Sequence, residues 1–128
     1  MRIPILAALA LFVLPSALAG CAKGVDAPTD AKVCWAMATT KDGKVKFNRL
    51  ADNVPDLEHC AAQLEAMRIR FLGLGGTQSE VVGDYQGTFL FLQREGVFTA
   101  QKFDGARYPF MVRTGDGRLA VPGAMPQQ

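Results

Sequence analysis

The sequence predicts an α+β fold: a small single domain made of a β-hairpin, one amphipathic helix and then an antiparallel β-meander. Three observations carry this. Asp42-Gly43 separates two strand-like runs, which is a strong hairpin signal. Apolar residues recur at helical spacing from Leu57 to Phe71. After the glycines at 73, 75 and 76, short apolar runs alternate with turn dipeptides up to Val121. The length suits one modest core and not two.

The chain opens with Met1-Arg2 as a short basic segment, followed by an apolar stretch from Ile3 to Leu14 that is too short to span a bilayer. Pro15 and Ser16 break it, and Ala17, Ala19 and Gly20 supply the small residues a signal peptidase needs near its cut. Residues 1–20 are therefore expected to be a signal peptide, processed rather than folded. Leu18-Ala19-Gly20-Cys21 resembles the lipobox of bacterial lipoproteins. This resemblance covers the signal alone. It implies that Cys21 is lipidated: its thiol would carry a diacylglycerol and its amine would be acylated after cleavage. Ala22 in place of Asp implies, by similarity with the sorting of such lipoproteins, an outer-membrane anchor facing the periplasm. Ala17-Leu18-Ala19 also fits an ordinary secretory cut after Ala19, which would leave a soluble periplasmic or secreted chain. Acyl chains would anchor the domain stably, because each buried methylene contributes about 0.8 kcal/mol.

With Cys21 implied to carry lipid, two of the three cysteines remain, Cys34 and Cys60. An oxidising compartment would join them, and two buried free thiols are the alternative. On a chain-entropy argument the bond would stabilise the fold by roughly 3.5 kcal/mol. Two cysteines beside one histidine lack the paired spacings of a zinc site, so no metal or other cofactor is expected. Removing Arg2 from the 14 Lys/Arg leaves 13 against 12 Asp/Glu, a formal charge of +1 that argues against a nucleic-acid partner.

Residues 21–31 are small and polar, and are expected to be the lipidated cysteine with a flexible tether. The domain then runs over 32–122, and 123–128 reads as a frayed tail. Val33 to Thr40 and Lys44 to Leu50 form the hairpin. Asn53-Val54-Pro55-Asp56 reads as a helix start, with a polar cap, Pro in the first turn and acids at Asp56 and Glu58 where the helix dipole favours them. Leu57, Cys60, Ala61, Leu64, Met67 and Phe71 share one arc of that helix, so Cys60 faces the core. Cys34 must meet it, and alternation then places Ala36 and Ala38 on the same face, small enough for a helix to lie close. Arg68 falls in the same arc near the helix end, and is expected to extend its charge to water over an apolar stem. The meander strands are expected at Glu80–Tyr85, Thr88–Gln93, Val97–Phe103, Tyr108–Arg113 and Leu119–Val121, with turns at Gln86-Gly87, Glu95-Gly96, Asp104-Gly105 and Gly115-Asp116-Gly117. Phe89-Leu90-Phe91-Leu92 is apolar on both faces, so its strand is expected to be central and covered on both sides.

Catalytic signals are sparse. His59 is the only histidine and falls on the solvent side of the helix. Leu72-Gly73-Leu74-Gly75-Gly76-Thr77 follows a helix and lacks the G-K-[ST] of a phosphate loop, so it reads as a helix stop. Ser79 has no histidine placed beside it, and Asp84, Glu95, Asp104 and Asp116 fall at predicted turns and strand ends.

One surface stands out. A two-residue turn at Asp42-Gly43 would set Thr39 opposite Lys46, Met37 opposite Asn48 and Trp35 opposite Leu50, on the face away from Cys34. Val33, Trp35, Met37 and Leu50 would then form an apolar binding face with Lys41, Lys44 and Lys46 at its basic end. The competing expectation is that C-terminal strands curl over this face and bury it as core. The sequence therefore points to a non-enzymatic, lipid-anchored cell-envelope protein that binds another envelope component, protein or glycan. By analogy, inhibition of an envelope hydrolase of lysozyme type is the second reading. A small enzyme is the third, and would require a perturbed acid in a real cleft.

Overall fold

The computed structural model describes residues 24–77 and 80–122. The signal segment, Cys21, Ser79 and the expected tail at 123–128 lie outside the described residues. The elements follow one another as β1 (Cys34–Thr39), β2 (Val45–Ala51), α1 (Leu57–Gly73), β3 (Val81–Tyr85), β4 (Thr88–Gln93), β5 (Gly96–Ala100), β6 (Tyr108–Arg113) and β7 (Leu119–Ala120). All strand pairs are antiparallel, in the order β2-β1-β3-β4-β5-β6-β7, and α1 packs on one face of the sheet. The fold is thus the expected α+β single domain. Among the described residues, no helix is long and apolar enough to cross a membrane.

The central strand behaves as its composition requires. Leu90 and Leu92 of β4 join Cys34, Ala36, Leu64, Val81 and Val97 under the helix. Phe89 and Phe91 point to the other side, where Ala100, Phe47, Val82, Phe98 and Phe103 gather around them. Tilted and edge-to-face ring contacts link Phe47, Phe89, Phe91 and Phe103 at centroid separations of 5.8 to 6.5 Å. Cys34 and Cys60 are disulfide-bonded, with Cα atoms 5.3 Å apart, so β1 is stapled to the first turns of α1.

The hairpin departs from the expected register. Thr40 and Lys44 close a three-residue loop, in which Thr40 N–H donates to Lys44 O and Gly43 N–H to Thr40 O. Gly43 takes φ +80, the left-handed conformation that this longer loop needs at its last position. Met37 therefore faces Phe47 and Trp35 faces Arg49, not Asn48 and Leu50. A slip of one residue moves every β2 side chain to the opposite face.

The helix begins later than expected. Asp56, expected as a first-turn acid, is the cap itself, its carboxylate accepting from His59 N–H at 2.8 Å. Asn53 to Pro55 stay outside because Val54 is tied to the sheet: its N–H donates to Lys32 O, and the buried Tyr85 hydroxyl donates to its carbonyl at 2.6 Å. At the other end, Gly75 N–H donates to Leu72 O and Gly76 N–H to Phe71 O, closing the helix at the expected glycines. Two residues of the expected arc behave differently. Arg68 does not reach for water: it is buried, and pairs with the buried Glu65 at 3.2 Å. Phe71 is exposed near the end of the helix, where it lines a groove with Thr39 and Val81.

The close helix approach is set by Gly83 more than by Ala36 and Ala38, since Ala38 is exposed. A Cβ on Gly83 would lie 2.4 Å from Leu64 Cδ1 and 2.6 Å from Trp35 O. Backbone on one side and a fully buried side chain on the other leave no room. Gly83→Ala is expected to lower stability by about 1–3 kcal/mol, read as a shifted urea midpoint at unchanged slope.

Residues 24–31, expected to belong to a tether, lie against the sheet. Val25 and Ala27 pack on the Phe89–Phe91 cluster, and Pro28 O accepts from Gly87 N–H. Lys32 N–H, just beyond, donates to Gln86 Oε1 at 2.8 Å. These residues and Phe103 cover the Phe89–Phe91 part of the second face, and Arg107 lies over the Phe91 ring, 3.6 Å from its centroid. Register places Cys34, Ala51, Tyr85, Thr88 and Ala100 at one end of the sheet, together with these N-terminal residues. Thr39, Val45, Val81, Leu92 and Val97 lie at the other end, with the close of the helix.

Candidate functional site

Six of the residues expected to form one binding face are divided between two. Trp35 and Met37 are half-buried on the face away from the helix. Arg49 lies over the Trp35 ring, 5.2 Å from its centroid, and is also held by Asp52 at 2.6 Å. Leu50 packs instead on the core beneath the helix, and Lys46 stands opposite Ala38 on that same side. Lys41 and Lys44 are exposed at the hairpin tip, with Lys44 Nζ 3.7 Å from the Asp42 carboxylate. The one-residue slip in β2 accounts for the separation.

Beneath the N-terminal residues lies a polar feature that the sequence did not reveal. Asp84, read as a turn acid, is completely buried on the second face, opposite Trp35 on one side and Phe89 on the other. Neither of its carboxylate oxygens has a hydrogen-bond partner among the described residues, nor does Trp35 Nε1. Burial pushes the Asp84 carboxyl up to about 7. The charge of Asp30 adds to this, while the nearby Gly87 N–H, whose hydrogen bond goes to Pro28 O, opposes it. An acid enclosed by Phe and Trp side chains therefore changes its charge near neutral pH. The hollow between the N-terminal residues and the loop after β5, about 480 Å³, is lined by Val25, Ala27, Phe89, Lys102 and Phe103 but not by Asp84.

Two other charge clusters involve α1, and Glu58, His59, Glu65 and Arg118 line one cavity of about 340 Å³. Glu65 accepts two hydrogen bonds from Arg113, at 2.7 and 2.9 Å, and Arg113 also donates to the carbonyls of Gln93 and Arg94. His59 rests its Nδ1 2.6 Å from the Asp56 carboxylate on the exposed cap of α1. Among the described residues no three His, Cys, Asp or Glu side chains come together as a metal-binding group.

The strongest surface feature is apolar. Ile69, Phe71, Leu72 and Leu74 are all exposed large hydrophobics at the C-terminal end of α1, Leu74 at 79%. Of these, Phe71 lines an open groove of about 440 Å³ whose walls also include Met67 from the helix, Met37 and Thr39 from β1, and Val81. The run Ile69-Arg70-Phe71-Leu72 was legible as a warning. Apolar residues at positions 69, 71 and 72 point in directions that one sheet cannot cover together. Solvent-exposed clusters of this kind mark interaction surfaces. No family model, curated protein or solved structure matches this chain.

Proposed function

We propose that the chain is a non-catalytic, lipid-anchored docking module of the cell envelope, which binds a protein partner through the exposed C-terminal end of α1. The observation that carries the proposal is the exposure of Ile69, Phe71, Leu72 and Leu74 together at the end of α1, with Phe71 lining an open groove. Exposed aliphatic side chains with one aromatic suit a protein partner that wraps a helix end better than a glycan, which needs directed polar groups. The Leu18-Ala19-Gly20-Cys21 signal supports an anchor at Cys21, and the Cys34–Cys60 bond is in keeping with an oxidising compartment.

The test is a photo-crosslinking residue placed at Leu74 in cells expressing the full chain. One discrete protein adduct is expected from Leu74, and none from Arg49 on the other face of the sheet. Phe71→Asp and Leu72→Asp should each weaken the adduct at least tenfold, while lowering stability by no more than about 1–2 kcal/mol, since both sites are partly exposed and lie in the last helical turn. Adducts that survive both substitutions, or that form equally from Arg49, would remove the docking role from the helix end.

A further inference from the structure

We infer that residues 24–31 are a strap rather than a spacer, so that an acylated Cys21 would hold one end of the sheet against the lipid headgroup surface. This rests on the lipid anchor proposed above. The end in question carries the Gln86-Gly87 turn and the loop around Lys102.

Chain length supplies the argument. If residues from Cys21 to Ala31 were free, their mean span would be roughly 18 Å, and the domain could take any orientation above the bilayer. The packing of Val25 and Ala27 on the phenylalanine cluster, with the Pro28 to Gly87 hydrogen bond, ties the chain to the domain from Val25 onward. Only three residue steps then separate Gly24 from the acylated Cys21, about 10 Å when fully extended. Gly24 must therefore lie within about that distance of the membrane surface.

What shares a wall with Gly24 follows it there. Gly24, Val25 and Asp26 border the same hollow as Gln101, Lys102 and Asp104, so this loop faces the headgroups. The hairpin tip at Lys41 and Lys44 lies beyond the far end of β1, roughly 20 Å away along the strand. The end of α1 borders Thr39 and Val81 at that same far end. The strap thus turns the apolar docking surface away from the bilayer and toward a partner.

The test uses the full lipidated chain, purified from membranes and reconstituted in phosphatidylethanolamine–phosphatidylglycerol vesicles with an acceptor dye on a fraction of the headgroups. A donor dye is placed on Lys102→Cys or on Lys44→Cys, two exposed positions at opposite ends of the sheet. Energy transfer is expected to be several-fold stronger from position 102 than from 44. A long Gly/Ser insertion between Lys23 and Gly24 should erase that contrast while acylation and vesicle retention persist. Equal transfer from both positions in the original lipidated chain would overturn the strap and leave the anchor standing. A contrast that survives the insertion would also overturn it, because chain length would then not be the cause. The anchor itself is tested by Cys21→Ser. Loss of radiolabelled palmitate and of vesicle retention supports it, and persistence of both sinks it together with the orientation that depends on it.

Discussion

Replacing Glu65 with Ala is expected to destabilise the domain by about 3–5 kcal/mol, a large part of what a domain of this size has to lose. Glu65 is almost wholly buried, and its carboxylate is shared by Arg113, which grips both oxygens, and by Arg68 at 3.2 Å. Truncation would remove the carboxylate that accepts both Arg113 hydrogen bonds and that pairs with Arg68, and removing one member of a buried ion pair costs more than the contacts themselves are worth. Arg113 joins the helix to β6 and reaches the β4–β5 turn through the carbonyls of Gln93 and Arg94, so the loss would be felt across both layers. Urea unfolding of Glu65→Ala, Arg113→Ala and the double variant would measure it, with a coupling energy above 1 kcal/mol expected between the two sites. The pair should respond only weakly to salt, because Glu65 is shielded from solvent and Arg113 is only about a quarter exposed. A loss below about 1 kcal/mol for Glu65→Ala would place the cluster among ordinary surface ion pairs.

The second large effect is a dependence on pH, centred on Asp84. Its carboxyl titrates near 7 in the folded chain, against an ordinary value near 3.8. The sign follows from linkage. Below pH 4 the group is protonated in both states and costs nothing. Between pH 4 and 7 the unfolded chain ionises while the folded one holds its proton, so stability falls as pH rises. Above pH 7 the loss is complete, and at about 1.4 kcal/mol per pH unit it amounts to as much as ~4 kcal/mol. Three exposed acids act in the opposite direction. Asp42 and Asp116 are lowered chiefly by the hydroxyls of Thr40 and Thr114, and Asp56 by the His59 N–H, so each favours folding above its ordinary range and loses that contribution in acid. Asp84→Asn isolates the buried group. It should unfold at higher temperature than the parent at pH 8, and the advantage should vanish toward pH 4. An Asn variant no more stable than the parent at pH 8 would show that the carboxylate is solvated in solution.

Much of the fold was legible because its signals are local. Strands β4 and β6 fall on the residues expected from the sequence, and the other strand boundaries move by at most a few residues. Turn dipeptides and period-two alternation need no knowledge of distant partners. The disulfide was legible for another reason: two cysteines remained, and helical spacing pointed Cys60 inward. The candidate surface was not legible, since it depended on the parity of one hairpin. Three loop residues in place of two sent Leu50 and Lys46 to the helix side and brought Phe47 and Arg49 beside Met37 and Trp35.

By itself, then, the sequence determined the order of the elements, the arc of α1 that carries Cys60, and the two-sided burial of β4, all set by neighbours a few residues apart. Tertiary structure alone decided which face each β2 side chain takes, that Gly83 admits Leu64, and that Glu65 meets Arg113 across 48 residues. It also decided that residues 24–31 bind the sheet and that the end of α1 stays uncovered. The physical reason is common to these cases. A pattern of spacing states which side chains share a face, but which surface that face meets depends on strand register and on the close packing of segments far apart in the chain.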